Sequence, residues 1–170
     1  MLVFIWGPTS SGKSTIAKEL VSVANSCIIA QDDFYYTDDA RFSLIGEYQN
    51  WDAQNVFNYA ALDQYISESL EQFTLVVVEG MCFPAHTIHR PDVSVKLTAP
   101  LATLQKRRFA RDSWIAANTG YWAVCAAPFV AEVDALVGPP GTVVVDATGS
   151  VDAVLGHVYR LMGPAMSASV

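Results

Sequence analysis

The sequence has 170 residues, 52% of them hydrophobic and 16% charged, with a net charge of −7. That length suits one domain with a sizeable core, and the acidic balance argues against a nucleic-acid-binding surface, which needs a basic stripe. Cys27, Cys82 and Cys125 are too few and too scattered for a disulfide framework, which fits a reducing, cytoplasmic setting. The N terminus lacks the basic start of a signal peptide, and no apolar run approaches the ~20 residues of a membrane span.

In chain order, an apolar run over residues 2–6 reads as a buried strand. It leads into Gly7-Pro8-Thr9-Ser10-Ser11-Gly12-Lys13-Ser14-Thr15, which fits G-x-x-x-x-G-K-[ST]. A loop between a buried strand and a helix presents backbone N–H groups and the positive end of the helix dipole to an anion. Gly7 and Gly12 permit backbone angles and a close phosphate approach that a β-carbon would block. Lys13 can reach the β- and γ-phosphates, and the Ser14 hydroxyl can join a Mg²⁺ shell. The loop, with Thr9, Ser10, Ser11 and Thr15, therefore implies nucleoside triphosphate binding. The helix after it, residues 14–24, has Ile16, Leu20, Val21 and Ala24 on one face.

A second strand, residues 27–30, runs into Gln31-Asp32-Asp33-Phe34-Tyr35. Ligands of parallel sheets bind at the carboxyl ends of strands. A carboxylate there can meet Mg²⁺ or accept the proton of a substrate hydroxyl during phosphoryl transfer. Adjacent carboxylates point apart, so one of the pair is the candidate base; Asp32 is favoured, with Asp33 the alternative. The plain alternative is a polar strand end.

Residues 32–55 carry five Asp residues and many aromatics without a sustained period, so they read as a long functional connection with room for a short helix. Within it, Asn50-Trp51-Asp52 sets an acid beside an aromatic, which suits the neighbouring hydroxyls and apolar face of a sugar. Asp52 can equally be a helix cap. A helix over 56–73, apolar at Ala60, Leu62, Ile66 and Leu70, precedes a strand at 74–78. That strand exits through Glu79-Gly80, the Walker B position with Glu in place of Asp, where the acid can support Mg²⁺. Cys82, His86 and His89 lack a fourth zinc ligand and read as loop residues.

The strand at 93–98 leads to a helix over 101–117 that turns basic at Lys106, Arg107, Arg108 and Arg111. Arg108 and Arg111 share a helix face and can close on phosphate oxygens as part of a lid over about 106–120, with Arg107 beside the nucleotide. The alternative is a solvated basic face. Gly120-Tyr121-Trp122 adds aromatic surface, or else is simple core packing. A helix over 121–136, a strand at 142–145 and a helix over 151–162, preceded by Gly149-Ser150 as turn and cap, complete the pattern. His157, inside that last helix, suggests no role. Strands alternating with helices predict an α/β fold: a five-stranded, mostly parallel sheet with helices on both faces. Residues 1–162 form one domain and 163–170 a loose tail.

Together these residues resemble the uridine kinase and nicotinamide riboside kinase group of P-loop kinases, in order from residue 2 to about 112 and more weakly from 120 to 162. Residues 7–15 match the group's phosphate loop, and residues 31–35 match its Q-D-x-F-[FY] motif, whose first Asp is the general base. Asn50, Trp51 and Asp52 match the element that holds the ribose diol. Glu79-Gly80 matches the E-G strand end, residues 108–112 match the lid motif R-x-x-R-D, and Gly120-Tyr121 resembles the Gly-Tyr after the lid of nicotinamide riboside kinases. The chain departs from uridine kinases, which continue with H-P-x-A-F-D where residues 53–58 stand here. It departs from nicotinamide riboside kinases at Tyr36-Thr37, where they have Lys-Pro. It is also shorter than most of the group, with little room for a uridine kinase's extra hairpin.

The resemblance implies a P-loop NTPase fold and a cytoplasmic kinase, monomeric or homodimeric, using ATP or GTP and Mg²⁺, the metal near Ser14, Glu79 and Asp32. It implies transfer to the 5′-hydroxyl of a ribonucleoside-like acceptor. Asp32 would be the base, Asp52 would hold the ribose, Arg108 and Arg111 would steady the transferred group, and Tyr35, Trp51 and Tyr121 would surround the base. The alternatives are another acceptor (a deoxynucleoside, a nucleoside monophosphate, pantothenate or a modified base) and a non-catalytic nucleotide-binding module. No nucleic-acid or membrane partner is expected.

Overall fold

In the computed structural model, the described residues are 1–22 and 24–163; the tail expected at 163–170 lies, beyond Gly163, outside them. Strands in chain order are β1 (Leu2–Trp6), β2 (Ser26–Ala30), β3 (Leu44–Ile45), β4 (Tyr48–Gln49), β5 (Leu75–Gly80), β6 (Val93–Thr98) and β7 (Val143–Asp146). Five of them form one sheet in the order β2-β5-β1-β6-β7, and every pairing in it is parallel. The helices are α1 (Lys13–Leu20), α2 (Tyr59–Gln72), α3 (Leu101–Arg111), α4 (Ser113–Ala117), α5 (Thr119–Tyr121), α6 (Ala127–Ala135) and α7 (Val151–Met162). No helix among the described residues is long and apolar enough to cross a membrane.

The strand runs lack polar alternation because both sheet faces are covered. On β1, Val3 and Ile5 pack with Ile16 and Leu20 of α1 and Val154 and Val158 of α7. Leu2, Phe4 and Trp6 point to the opposite layer, where Leu62 and Ile66 of α2 meet them. Ala60 and Leu70, expected on the apolar face of α2, are exposed, and Ser69 is buried instead. Lys96 is buried on β6, where its ammonium donates to the carbonyls of Asp134 (2.7 Å) and Leu136 (3.1 Å) at the end of α6. A cation there meets the negative end of the helix dipole, while burial pulls the lysine pKa down.

Three helices depart from their expected bounds where local chemistry interrupts the periodicity. α1 stops at Leu20, short of Ala24, which is exposed; Val21 N–H and Ser22 N–H close the last turn on Ala17 and Glu19. The helix expected over 101–117 breaks at Asp112, whose carboxylate accepts from Ile115 N–H at 3.1 Å and so caps α4. The helix expected over 121–136 begins earlier and contains a π-helical turn, Trp122–Ala126, between α5 and α6. α2 starts at Tyr59, with Asn58 as cap accepting from Ala61 N–H. The long connection after β2 is not a plain loop: 3₁₀ turns Gln31–Phe34, Asp39–Arg41 and Gln54–Val56 flank the small β3–β4 hairpin. The chain, though short, thus fits a hairpin in this segment.

Candidate active site

Gly7 ends β1 with φ 136°, and a β-carbon on it would run into the Leu97 carbonyl. Gly7 therefore lets the loop leave the sheet between β5 and β6. Gly12 caps α1 at φ 98°, a conformation that L side chains rarely adopt. The loop between them aims at the α1 N terminus, and the Ser10 and Ser11 hydroxyls are buried there without a protein partner. Buried polar atoms of this kind call for a ligand.

A cavity of about 370 Å³ lies over this loop, lined on one side by Ser10 to Ile16 and on the other by Ala147, Gly149, Val151 and Val154. Arg107 also lines it and donates to the Ala147 carbonyl at 2.9 Å. A second cavity of about 290 Å³ is lined by Asp32, Tyr35, Trp51, Asp52, Glu79 and Arg108, among others. Ser10, Lys13, Ser14 and Arg111 line both. The two spaces therefore join at the lysine of the phosphate loop.

Lys13 is buried and its ammonium donates to the Pro8 carbonyl at 2.8 Å. Burial pulls its pKa down, opposed by the carboxylates of Glu79 and Asp32. The Ser14 hydroxyl donates to Glu79 Oε1 at 2.8 Å, and burial pushes the Glu79 carboxyl above its usual range against the pull of Lys13. A hydroxyl beside a carboxylate, facing a phosphate loop, is a donor set that Mg²⁺ accepts, since this ion takes one or two protein oxygens and completes its shell with water and phosphate. Asp32 stands in the same cavity. Among the described residues no three His, Cys, Asp or Glu side chains cluster as a metal cage. Cys82, His86 and His89 are engaged otherwise: the Cys82 thiol contacts Gln31 and Tyr59, His86 stacks on Tyr59, and His89 reaches the Asp63 carbonyl.

The α3 arginines meet the phosphate loop directly. Arg108 donates to Thr9 Oγ1 at 2.6 Å, Arg111 stands 3.5 Å from the same hydroxyl, and Arg108 pairs with Asp112 at 3.5 Å. Thr9 thus faces the second cavity and the α3 arginines. Arg108 Nε is buried without a partner.

On the far wall, Asp52 is 6% exposed, and burial raises its carboxyl above the usual range, opposed by the Tyr121 hydroxyl and Arg108. Tyr121 is 1% exposed, too enclosed to stack on a ligand, which corrects its expected place beside the base; its hydroxyl donates to Asp52 Oδ2 at 2.6 Å. Tyr35 packs against Phe57 with ring centroids 4.3 Å apart, and Trp51 against Phe42 at 4.2 Å, leaving Trp51 40% exposed. Burial, with Asp32 and Asp52 nearby, pushes the Tyr35 phenol far above its usual range. Asp33 is exposed and does not line the cavity that Asp32 lines.

Sequence reasoning missed the residues after β7 that wall the first cavity, although their place at the carboxyl end of a parallel strand is a sufficient signal. It also missed Gln31, which is buried and accepts from the N–H groups of Met81, Cys82 and Phe83, tying the end of β2 to the end of β5. Nothing local in the sequence announces that bond.

No protein-family model matches the chain. A nicotinamide riboside kinase from Eremothecium gossypii is 38% identical over 66 residues, which span 38% of this chain and 27% of that protein. Solved structures resemble it over nearly its whole length. A sugar kinase from a Janibacter species matches 99% of this chain and 98% of its own, with TM-score 0.67 and 14% identity. Thymidylate kinase from Candida albicans covers 95% and 90%, with TM-score 0.57 and 18% identity. Deoxyadenosine kinase from M. mycoides, with dCMP and dCDP bound, covers 95% and 98%, with TM-score 0.56 and 15% identity. With its parallel five-stranded sheet and its phosphate loop, the chain has the α/β fold of the P-loop kinases.

Proposed function

We propose that this chain is an ATP-dependent kinase that transfers the γ-phosphoryl group to the primary 5′-hydroxyl of a ribonucleoside-like acceptor. The observation that carries this reading is the pair of cavities joined at Lys13 and Ser14, one above the phosphate loop and one walled by Asp32 and Asp52. A nucleotide switch needs the first cavity and has no use for the second. In this reading the loop amides and Lys13 hold the donor phosphates, and Ser10 and Ser11 find their partners there. Ser14 and Glu79 would support Mg²⁺, which when bound offsets charge on the β- and γ-phosphates. Asp32 takes the proton of the acceptor hydroxyl as its oxygen bonds to the γ-phosphorus and ADP departs; Arg108 and Arg111 steady the oxygens in transit. Asp52 accepts from the ribose hydroxyls, and Trp51 offers the exposed ring for the base, beside Tyr35. The partial similarity to a nicotinamide riboside kinase supports a riboside acceptor.

The test is an acceptor screen over nicotinamide riboside, uridine, cytidine and deoxynucleosides, reading ADP release. ADP formed only with a ribonucleoside present supports the reading. ADP released at the same rate without any acceptor overturns it.

A further inference from the structure

Asp52 does not stand alone in its wall, and what holds it comes from the lid side of the molecule. The Tyr121 hydroxyl donates to Asp52 Oδ2 at 2.6 Å and accepts from Trp51 N–H at 3.2 Å, so one oxygen serves both residues of the Trp51-Asp52 pair. The phenol has one proton to give and gives it to the carboxylate. That commits Oδ2 and leaves Oδ1 for an acceptor hydroxyl. From the other side, Tyr35 donates to the Trp51 carbonyl at 3.2 Å, and Asn50 Oδ1 accepts from Asp52 N–H at 3.1 Å.

Tyr121 is itself fixed by its surroundings. Trp114 of the lid helix α4 lies edge-on to its ring at 5.2 Å and Tyr48 of the β3–β4 hairpin at 6.0 Å. Gly120 gives the Tyr48 hydroxyl its space, since a β-carbon there would overlap it. The π-helical turn Trp122–Ala126 follows immediately, burying Trp122, Cys125 and Ala126 beside Tyr121. π-turns recur at functional sites because they re-aim side chains that a regular helix would direct elsewhere. A phenylalanine would fill the same apolar space; the hydroxyl is needed only for Asp52 and Trp51.

We infer that Tyr121 is a positioning residue that presents Asp52 to the acceptor's vicinal hydroxyls, and so sets the preference for ribosides over deoxyribosides. This rests on the reading of Asp52 as the ribose holder. Removing the phenolic oxygen frees the carboxylate to rotate, and it lets a water or a neighbouring donor compete for the oxygen that the ribose would use.

The experiment measures kcat and KM for Tyr121→Phe, Asp52→Asn and the parent with nicotinamide riboside, uridine and cytidine and with their 2′-deoxy counterparts. Tyr121→Phe is expected to raise KM for the ribosides about tenfold, the order expected for a lost hydrogen bond to a charged group. KM for the deoxyribosides, KM for ATP and kcat stay near the parent's, so the ribo/deoxy preference collapses. A residue that merely filled space would weaken both acceptor classes alike, and an unchanged preference overturns the inference. Meta-fluorotyrosine at position 121 keeps the ring and strengthens the donor, so it should widen the preference; this readout stands even if the Phe variant folds poorly. If Asp52→Asn erases the preference and Tyr121→Phe leaves it intact, only the role of Tyr121 falls. If Asp52→Asn leaves it intact, or no riboside is turned over, the ribose reading falls and this inference with it.

Discussion

The two halves of the site are built differently. The phosphate-loop side centres on nine consecutive residues, Gly7-Pro8-Thr9-Ser10-Ser11-Gly12-Lys13-Ser14-Thr15, which run from the end of one strand into the first turn of one helix. The acceptor-side wall is assembled from Asp32, Trp51, Asp52, Glu79 and the α3 arginines, which come from three separate segments: the connection after β2, the end of β5 and α3. A contiguous loop can bind phosphate wherever a strand feeds a helix, since backbone amides and the helix dipole suffice. A scattered wall needs the whole fold to hold it, through tertiary bonds such as Tyr121–Asp52 and Gln31 to the β5 exit.

Substitutions should separate the two halves, and the largest effect is expected where they meet. Lys13→Ala should lower kcat by about a hundred- to a thousandfold, the order of losing one electrostatic partner of the transferred group. Turnover within a few-fold of the parent's would remove Lys13 from the chemistry. Asp32→Asn should lower kcat by about a hundredfold or more while leaving ATP affinity intact, as loss of a general base does. The same change at Asp33 should leave turnover near the parent's, and a reversal of the two would reassign the base.

Asp52→Asn is expected to raise acceptor KM about tenfold without changing that for ATP. Its effect on stability runs the other way. Burial raises the Asp52 pKa in the folded state, so the native form binds this proton more tightly than the unfolded chain. The cost of burying an ionised carboxylate is then fully present above the folded pKa and fades as pH falls through it. The Asn variant, which can still accept from Tyr121, should melt at or above the parent's Tm at neutral pH, and that advantage should shrink in mild acid. An advantage that grew on acidification would contradict the raised pKa. The smallest effect is expected at the donor rim: Arg107→Ala should raise KM for ATP a few-fold, with KM for the acceptor unchanged, because Arg107 lines the first cavity and not the second.

The pattern of prediction follows the same division. β1, β6 and α7 sit where apolar runs and caps place them, because burial on both sheet faces writes itself into consecutive residues. The break at Asp112 was not legible as a boundary, since the same residue reads as part of a basic helical run until its carboxylate is seen capping Ile115 N–H. Tyr121 looked like a stacking surface because its neighbours are aromatic; its burial depends on Trp114 and Tyr48, which no local pattern links to it.

The sequence by itself determined the parallel α/β layering, the phosphate loop and the identities of the acids and arginines around it, because each follows from short-range periodicity or a contiguous motif. Only the tertiary structure decided that Thr9 meets the α3 arginines, that the residues after β7 wall the cavity over the phosphate loop, and that the Tyr121 hydroxyl bonds Asp52. Those outcomes join residues 40 to 102 positions apart, and a bond of that range is fixed by how the core packs, which no single segment encodes.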